Sequence, residues 1–120
     1  MKRFLVLAGV CTAAAVPFFA LSPFAGARPA AQAKTSVTVT GTEYKFKLSR
    51  KSAPHGTVVF KFVNKGVLKH DFAIAGHKTK IIKHGKSITL TVTLKKGKHP
   101  FKCTVDSHAK FGMKGVFTST

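Results

Sequence analysis

From Lys34 to the carboxyl end, apolar and polar residues alternate with a period of two. Such alternation is typical of strands that bury one face and leave the other in water. Turn-forming residues separate the runs, as at Asn64-Lys65-Gly66 and Lys95-Lys96-Gly97. The predicted buried positions are Val37/Val39, Tyr44/Phe46/Leu48, Val58/Phe60/Phe62, Phe72/Ile74, Ile88/Leu90/Val92/Leu94 and Phe101/Cys103.

These runs predict an all-β domain over residues 37–120. Their number and length favour an antiparallel Greek-key β-sandwich or small barrel of about seven or eight strands. No window has the pattern of a long amphipathic helix. Residues 28–36 are rich in Ala, Pro and Gln without periodicity, and we expect a flexible lead-in there. A chain of 120 residues has room for one such domain.

The amino terminus has the pattern of an export signal. Lys2-Arg3 precedes a long uncharged, mainly apolar stretch, and two small-x-small sites follow it, Ala25-Gly26-Ala27 and Ala31-Gln32-Ala33. We expect a signal peptide over residues 1–27, with cleavage after residue 33 as an alternative. An uncleaved membrane anchor is the second alternative, because no charge appears between Phe4 and Ala27. Either way the domain lies in the periplasm, cell envelope or extracellular space.

The net charge of the chain is +18, with 21 Lys and Arg residues against 3 Asp and Glu. Removal of residues 1–27 takes away only Lys2 and Arg3, so the charge of the remaining domain is +16. The lysines are spread over nearly every predicted strand and turn. The positive electrostatic potential that these lysines create favours docking to an acidic redox partner or an anionic envelope surface. We expect no nucleic acid as partner, since export removes the usual target and no platform of aromatic and Arg residues is visible.

The candidate chemistry lies near the carboxyl end, in a Cys-x4-His-x4-Met motif formed by Cys103, His108 and Met113. Cys103 and Met113 are the only cysteine and methionine that remain after residue 27. A thiolate, an imidazole and a thioether together favour a soft or borderline metal such as copper. A fourth ligand must come from elsewhere, and the best candidate is His70, at the start of a predicted strand.

At this point the sequence resembles the cupredoxins, the plastocyanin and azurin type of small blue copper protein. The resemblance covers nearly all of residues 35–120, and the ligand spacing is most similar to that of the rusticyanin-like members, whose Cys-to-Met loop is long. The segments that carry it are Tyr44-Lys45-Phe46, Gly56-Thr57-Val58-Val59-Phe60, Asn64-Lys65-Gly66, His70-Asp71-Phe72, Gly85-Lys86-Ser87, Val92-Thr93-Leu94 and Cys103 through Gly115.

The resemblance implies a Greek-key β-sandwich that binds one type 1 copper ion through His70, Cys103 and His108, with Met113 as a weak axial ligand. It also implies single-electron transfer between larger redox proteins. The chain departs from the family pattern at Asp71, where the best-known members have an Asn that ties the two ligand loops together. An ionised carboxylate beside a thiolate should favour Cu(II) and lower the reduction potential.

The sequence alone is compatible with three functions from different classes. The first is an exported electron carrier, which we expect to be a monomer without enzymatic activity or a small-molecule substrate. The second is a copper carrier or storage protein of the same fold, and the third is a metal-free β-sandwich that binds polyanions. An accessory role in copper loading for His77 and His84, in a Lys-rich segment, also stays open.

Overall fold

The computed structural model describes Gly9, Ala15 and residues 34–120. Apart from Gly9 and Ala15, the predicted signal peptide therefore lies outside the described residues, as do its two cleavage sites and most of the predicted lead-in. The first described strand begins at Thr35, so Thr35 and Ser36 belong to a sheet and not to the lead-in. Among the residues described, no helix is long and apolar enough to cross a membrane.

Residues 34–120 form a sandwich of two β-sheets, which confirms the predicted fold class. The strands are β1 Thr35–Thr42, β2 Lys45–Leu48, β3 Ser52–Ala53, β4 Gly56–Asn64, β5 Ala73–Ile74, β6 His77–Lys78, β7 Ser87–Leu94, β8 Gly97–Lys102 and β9 Lys114–Ser119. One sheet has the strand order β2-β1-β4-β7 and the other has the order β3-β9-β8-β5-β6. The chain changes sheet between β2 and β3, β3 and β4, β4 and β5, β6 and β7, and β7 and β8.

Two details differ from the prediction. The part of the chain described has nine strands, because β3 and β6 have two residues each and are too short for an alternation to be visible in the sequence. In addition, β1 pairs with β4 and β3 pairs with β9 in parallel, so the sheets are not purely antiparallel. The parallel pair β1–β4 arises because the chain returns along β2, crosses through β3 and re-enters beside β1.

The core between the two sheets contains five buried phenylalanine side chains among smaller aliphatic ones. Phe60, Phe62, Phe72 and Phe117 have no exposed surface, and Phe46 packs edge-on against Phe62 and Phe72. Burial of each of these rings contributes about 2–3 kcal/mol through the hydrophobic effect. Because Phe72 follows the segment His70-Asp71 directly, the core also fixes the segment that carries the first histidine.

The register of the second sheet brings the predicted ligands to one end of the sandwich. Lys102, the last residue of β8, pairs with Lys114, the first residue of β9, and with Ala73, the first residue of β5. Cys103 directly follows Lys102 and Met113 directly precedes Lys114, so both lie just beyond these paired residues. The backbone amide of Cys103 donates a hydrogen bond to the carbonyl of Met113 (3.0 Å), which continues the pairing of the two strands by one step.

Candidate metal centre

Three of the four predicted ligands meet at this end of the sandwich. The Nδ1 atoms of His70 and His108 are 3.1 Å apart, and the Sγ of Cys103 lies 3.8 Å from the first and 3.6 Å from the second. In the part of the chain described, these residues are the one group of three His, Cys or carboxylate side chains whose ligand atoms lie within 4.8 Å of one another. The site is buried, with His70, Cys103 and His108 exposed by 0%, 1% and 7%.

Met113 is held beside this group by its backbone. Its amide donates a hydrogen bond to the carbonyl of His108 (3.1 Å), and its carbonyl accepts one from the amide of Cys103. The side chain has no exposed surface, and its terminal methyl lies 3.4 Å from the position that a Cβ on Gly41 would take. The thioether is therefore enclosed at the same end of the sandwich as the imidazoles and the thiol.

The triangle of ligand atoms has the size that a metal ion requires. A point equidistant from the two Nδ1 atoms and the Sγ lies about 2 Å from each of them, close to the usual length of a bond from a transition metal to nitrogen. Two imidazoles and one thiolate in a trigonal arrangement, with a weak axial thioether, form the donor set typical of blue copper sites. The residues present therefore fit a copper ion.

Asp71 links the two segments that carry the ligands, as the resemblance implies for the residue after the first histidine. One oxygen of its carboxylate accepts a hydrogen bond from the backbone amide of Thr104 (2.6 Å) and the other accepts one from the Thr104 hydroxyl. Asp71 has no exposed surface. Its carboxylate thus joins the residue after His70 to the residue after Cys103.

The environment favours the uncharged forms of two ligands before a metal binds. Burial lowers the pKa of His70, and the neighbouring His108 lowers it further. The carboxylates of Glu43 and Asp71 raise this pKa, but the net shift is downward. Burial also raises the pKa of the Cys103 thiol, and this effect is partly opposed by the backbone amides of Asp71 and Val105. At neutral pH the metal-free site therefore holds a neutral His70 and a protonated thiol.

In the described range 34–120, His108 is the predicted ligand that comes nearest to the surface. Tyr44 packs against the His108 ring, with centroids 5.3 Å apart, and against Phe111 at 5.0 Å. Phe111 and Val67 are 65% and 82% exposed, and they line the same open depression as His108 and Tyr44. Tyr44, Val67 and Phe111 thus form an apolar patch beside His108, in a depression that charged and polar side chains also line.

The other histidines do not join the site. His55 and His99 donate hydrogen bonds to the backbone carbonyls of Thr120 and Lys95. His84 is exposed, and its Nδ1 donates to the carbonyl of Gly66 (2.7 Å). His77 is exposed on β6. The idea that His77 and His84 assist copper loading stays a prediction.

Sequence reasoning missed three residues around the ligands: Glu43, Tyr44 and Thr104. Glu43 was predictable in principle, because it is one of only three carboxylates in a strongly basic domain. Its place beside His70 depends on the fold of the β1–β2 turn, in which Tyr44 has a positive φ of 62°. Nothing in the local sequence indicates this turn geometry.

Comparisons with known structures agree with the fold. The structure is similar to that of dithionite-reduced auracyanin from the photosynthetic bacterium Roseiflexus castenholzii, with 24% identity over 72% of this chain and 97% of that chain and a TM-score of 0.63. Auracyanin B matches with 20% identity over 73% of this chain and 89% of its own, at a TM-score of 0.62. Auracyanin A, a "blue" copper protein from the green thermophilic photosynthetic bacterium Chloroflexus aurantiacus, matches with 15% identity over 73% of this chain and 100% of its own, also at 0.62.

These likenesses in structure establish the fold. A comparison with curated protein sequences gives no significant match. The model of the cupredoxin-like domain family, in contrast, matches residues 10–118, which is most of the chain. By this match, and by the two-sheet fold with its His, Cys and His group, the chain belongs to the cupredoxin-like family.

Proposed function

We propose that this domain binds one type 1 copper ion through His70, Cys103, His108 and Met113 and carries single electrons between redox proteins outside the cytoplasm. One type 1 copper ion is the cofactor that membership of the family implies. The observation that carries the assignment of ligands is the buried triangle of two Nδ1 atoms and one Sγ, with sides of 3.1, 3.6 and 3.8 Å.

The surroundings of the ligands support electron transfer over other copper chemistry. A bound copper ion supplies a centre that accepts and releases one electron. The protein supplies rigidity: Cys103 and Met113 are joined by a backbone hydrogen bond, and Asp71 fixes the two ligand segments to each other. Ligands that move little between oxidation states favour rapid electron transfer. Because the three atoms of the triangle belong to residues at least nine-tenths buried, a substrate has no direct access to them.

The His108 side supports a route for the electron. The imidazole is the ligand closest to solvent, and the apolar patch of Tyr44, Val67 and Phe111 gives a partner a surface from which water can be displaced. We propose that the partner is an acidic redox protein, because the lysines around the domain attract such a protein from a distance. An anionic envelope surface is the alternative source of this attraction. Export of the domain, supported by Lys2-Arg3 and the apolar stretch after it, belongs to the same proposal.

The test is a redox cycle of the copper-loaded protein. We expect ascorbate to reduce one copper per chain and an acidic redox protein to re-oxidise it, over repeated cycles and without loss of the ion. The rate of electron exchange should fall as the salt concentration rises. If a chelator removes the ion rapidly and no redox protein exchanges electrons with it, the domain is a carrier or store of copper instead. If the protein binds no copper and salt-sensitive binding to a polyanion remains, the metal-free alternative holds.

A further inference from the structure

The imidazole of His70 has a polar atom that the described structure leaves without a hydrogen bond. Its Nδ1 belongs to the ligand triangle, whereas Nε2 points away from it, is buried, and has no hydrogen-bond partner among the described residues. A buried polar atom that lacks a hydrogen-bond partner lowers the stability of the protein. This cost indicates that Nε2 gains a partner in the working state of the protein.

The nearest charged group to this atom is the carboxylate of Glu43. The Oε1 of Glu43 lies 3.6 Å from the Nε2 of His70, slightly beyond hydrogen-bond length. Glu43 lies in the turn between β1 and β2, while His70 precedes β5 in the other sheet. The two residues are thus brought together by the fold and not by proximity in the sequence.

The carboxylate of Glu43 is held in place by the segment that follows β4. Its Oε1 accepts a hydrogen bond from the backbone amide of Leu68 (2.9 Å). The carbonyl of Leu68 accepts a hydrogen bond from the buried side-chain amide of Asn64 (2.8 Å), and the carbonyl oxygen of the same side chain accepts one from the amide of Gly66 (2.9 Å). This segment therefore fixes the position of the carboxylate beside the imidazole.

Gly66 shows how closely the carboxylate and the imidazole are packed. A Cβ at this position would lie 3.1 Å from the Nε2 of His70 and closer still to the Oε1 of Glu43. A side chain at residue 66 would therefore displace the carboxylate from the imidazole. Any residue other than glycine would disturb the approach of these two groups.

We propose that Glu43 is a positioning residue of the copper site, which accepts a hydrogen bond from the Nε2–H of His70 when Nδ1 is bound to the metal. The inference rests on the proposed function. An imidazole that gives Nδ1 to a metal keeps its proton on Nε2, and a carboxylate acceptor there fixes the ring orientation and makes the ligand more basic. A more basic imidazole stabilises Cu(II) more than Cu(I).

The test is the variant Glu43→Gln, which keeps the size of the side chain and an oxygen for the Leu68 amide. Loss of such an outer partner typically weakens metal binding by about 10- to 100-fold. We expect a fall of this size in the affinity for Cu(II), a smaller fall for Cu(I), and hence a higher reduction potential. The matched control is Asp106→Asn, which removes one negative charge from an exposed residue of the Cys103–His108 loop.

A second measurement separates a positioning role from a structural one. In the diamagnetic Cu(I) form, the Nε2–H of His70 is observable by NMR spectroscopy, and we expect it to exchange slowly with water in the original protein and rapidly in Glu43→Gln. Equal affinities, potentials and exchange rates in Glu43→Gln and Asp106→Asn would overturn the inference while the copper proposal stands. Failure of the original protein to bind copper would overturn both.

Discussion

The carboxylate of Asp71 accepts hydrogen bonds from both the amide and the hydroxyl of Thr104, and so joins the two segments that carry His70 and Cys103. This buried negative charge lies close enough to the Cys103 thiol to disfavour the thiolate in the metal-free protein. Beside a copper ion, the same charge favours the more positive Cu(II) state.

We therefore expect Asp71→Asn to raise the reduction potential of the copper-loaded protein, measured by redox titration of the visible absorption. The matched variant is Thr104→Val, which keeps the carboxylate and its bond to the Thr104 amide but removes the hydroxyl donor. This change leaves more negative charge on the carboxylate oxygen, so a smaller shift to lower potential is expected. An unchanged or lower potential in Asp71→Asn would show that the charge of Asp71 does not set the potential.

Uptake of copper should release about one proton per ion at neutral pH, because the thiol of Cys103 must lose its proton to become a ligand. His70 contributes no proton at neutral pH, since its lowered pKa keeps the imidazole neutral. The affinity for Cu(II) should accordingly rise by about tenfold per pH unit through this range. Calorimetry in buffers with different enthalpies of ionisation measures the proton count. Cys103→Ser should lose this release, and a count near zero in the original protein would contradict the raised pKa of Cys103.

Replacement of the axial ligand should change the potential without loss of the ion. Met113 has no exposed surface, and leucine has a similar volume, so Met113→Leu should reduce the free energy of unfolding by less than about 1.5 kcal/mol. Removal of a weak donor destabilises Cu(II) more than Cu(I), and the potential should rise. Absorption spectra and redox titration check this result. A potential equal to that of the original protein would mean that the thioether is not a ligand.

Replacement of two phenylalanines near the site should affect different properties: one change should lower the free energy of unfolding, and the other should slow electron exchange. Phe72 has no exposed surface, and Phe72→Ala should reduce the free energy of unfolding by about 3–5 kcal/mol. Phe111 is 65% exposed beside His108, so Phe111→Ala should change stability by less than about 0.5 kcal/mol while it slows electron exchange with a redox protein. Urea unfolding and stopped-flow mixing measure the two effects. An unaltered exchange rate in Phe111→Ala would place the docking surface elsewhere.

Much of the fold could be predicted from the sequence because the buried positions alternate strictly in the longer strands. In β4, the residues Val58, Phe60 and Phe62 are all buried, as the period of two requires. The parallel pairing of β1 with β4 was not predictable in this way. Alternation tells which face of a strand is buried, but it gives neither the neighbour of that strand nor its direction.

The same distinction applies to the site: residues close together in sequence could be predicted, and residues brought together only by the fold could not. Cys103, His108 and Met113 lie close together in sequence, and their spacing indicates one metal-binding loop. His70 could be added because it starts a predicted strand well before Cys103, so that two strand ends and one loop could meet at one end of the sandwich. Glu43 lies beside His70, and Thr104 is hydrogen-bonded to Asp71, only because the fold brings them together, and their sequence neighbours give no sign of these contacts.

The most direct test of the copper assignment is a titration of the purified protein with Cu(II), followed by visible absorption, beside the same titration of Cys103→Ser. A thiolate of Cys103 bound to Cu(II) should give an intense band that saturates at about one ion per chain, bleaches on mild reduction and is absent from the variant. A colourless original protein, or an equal band in Cys103→Ser, would contradict the assignment.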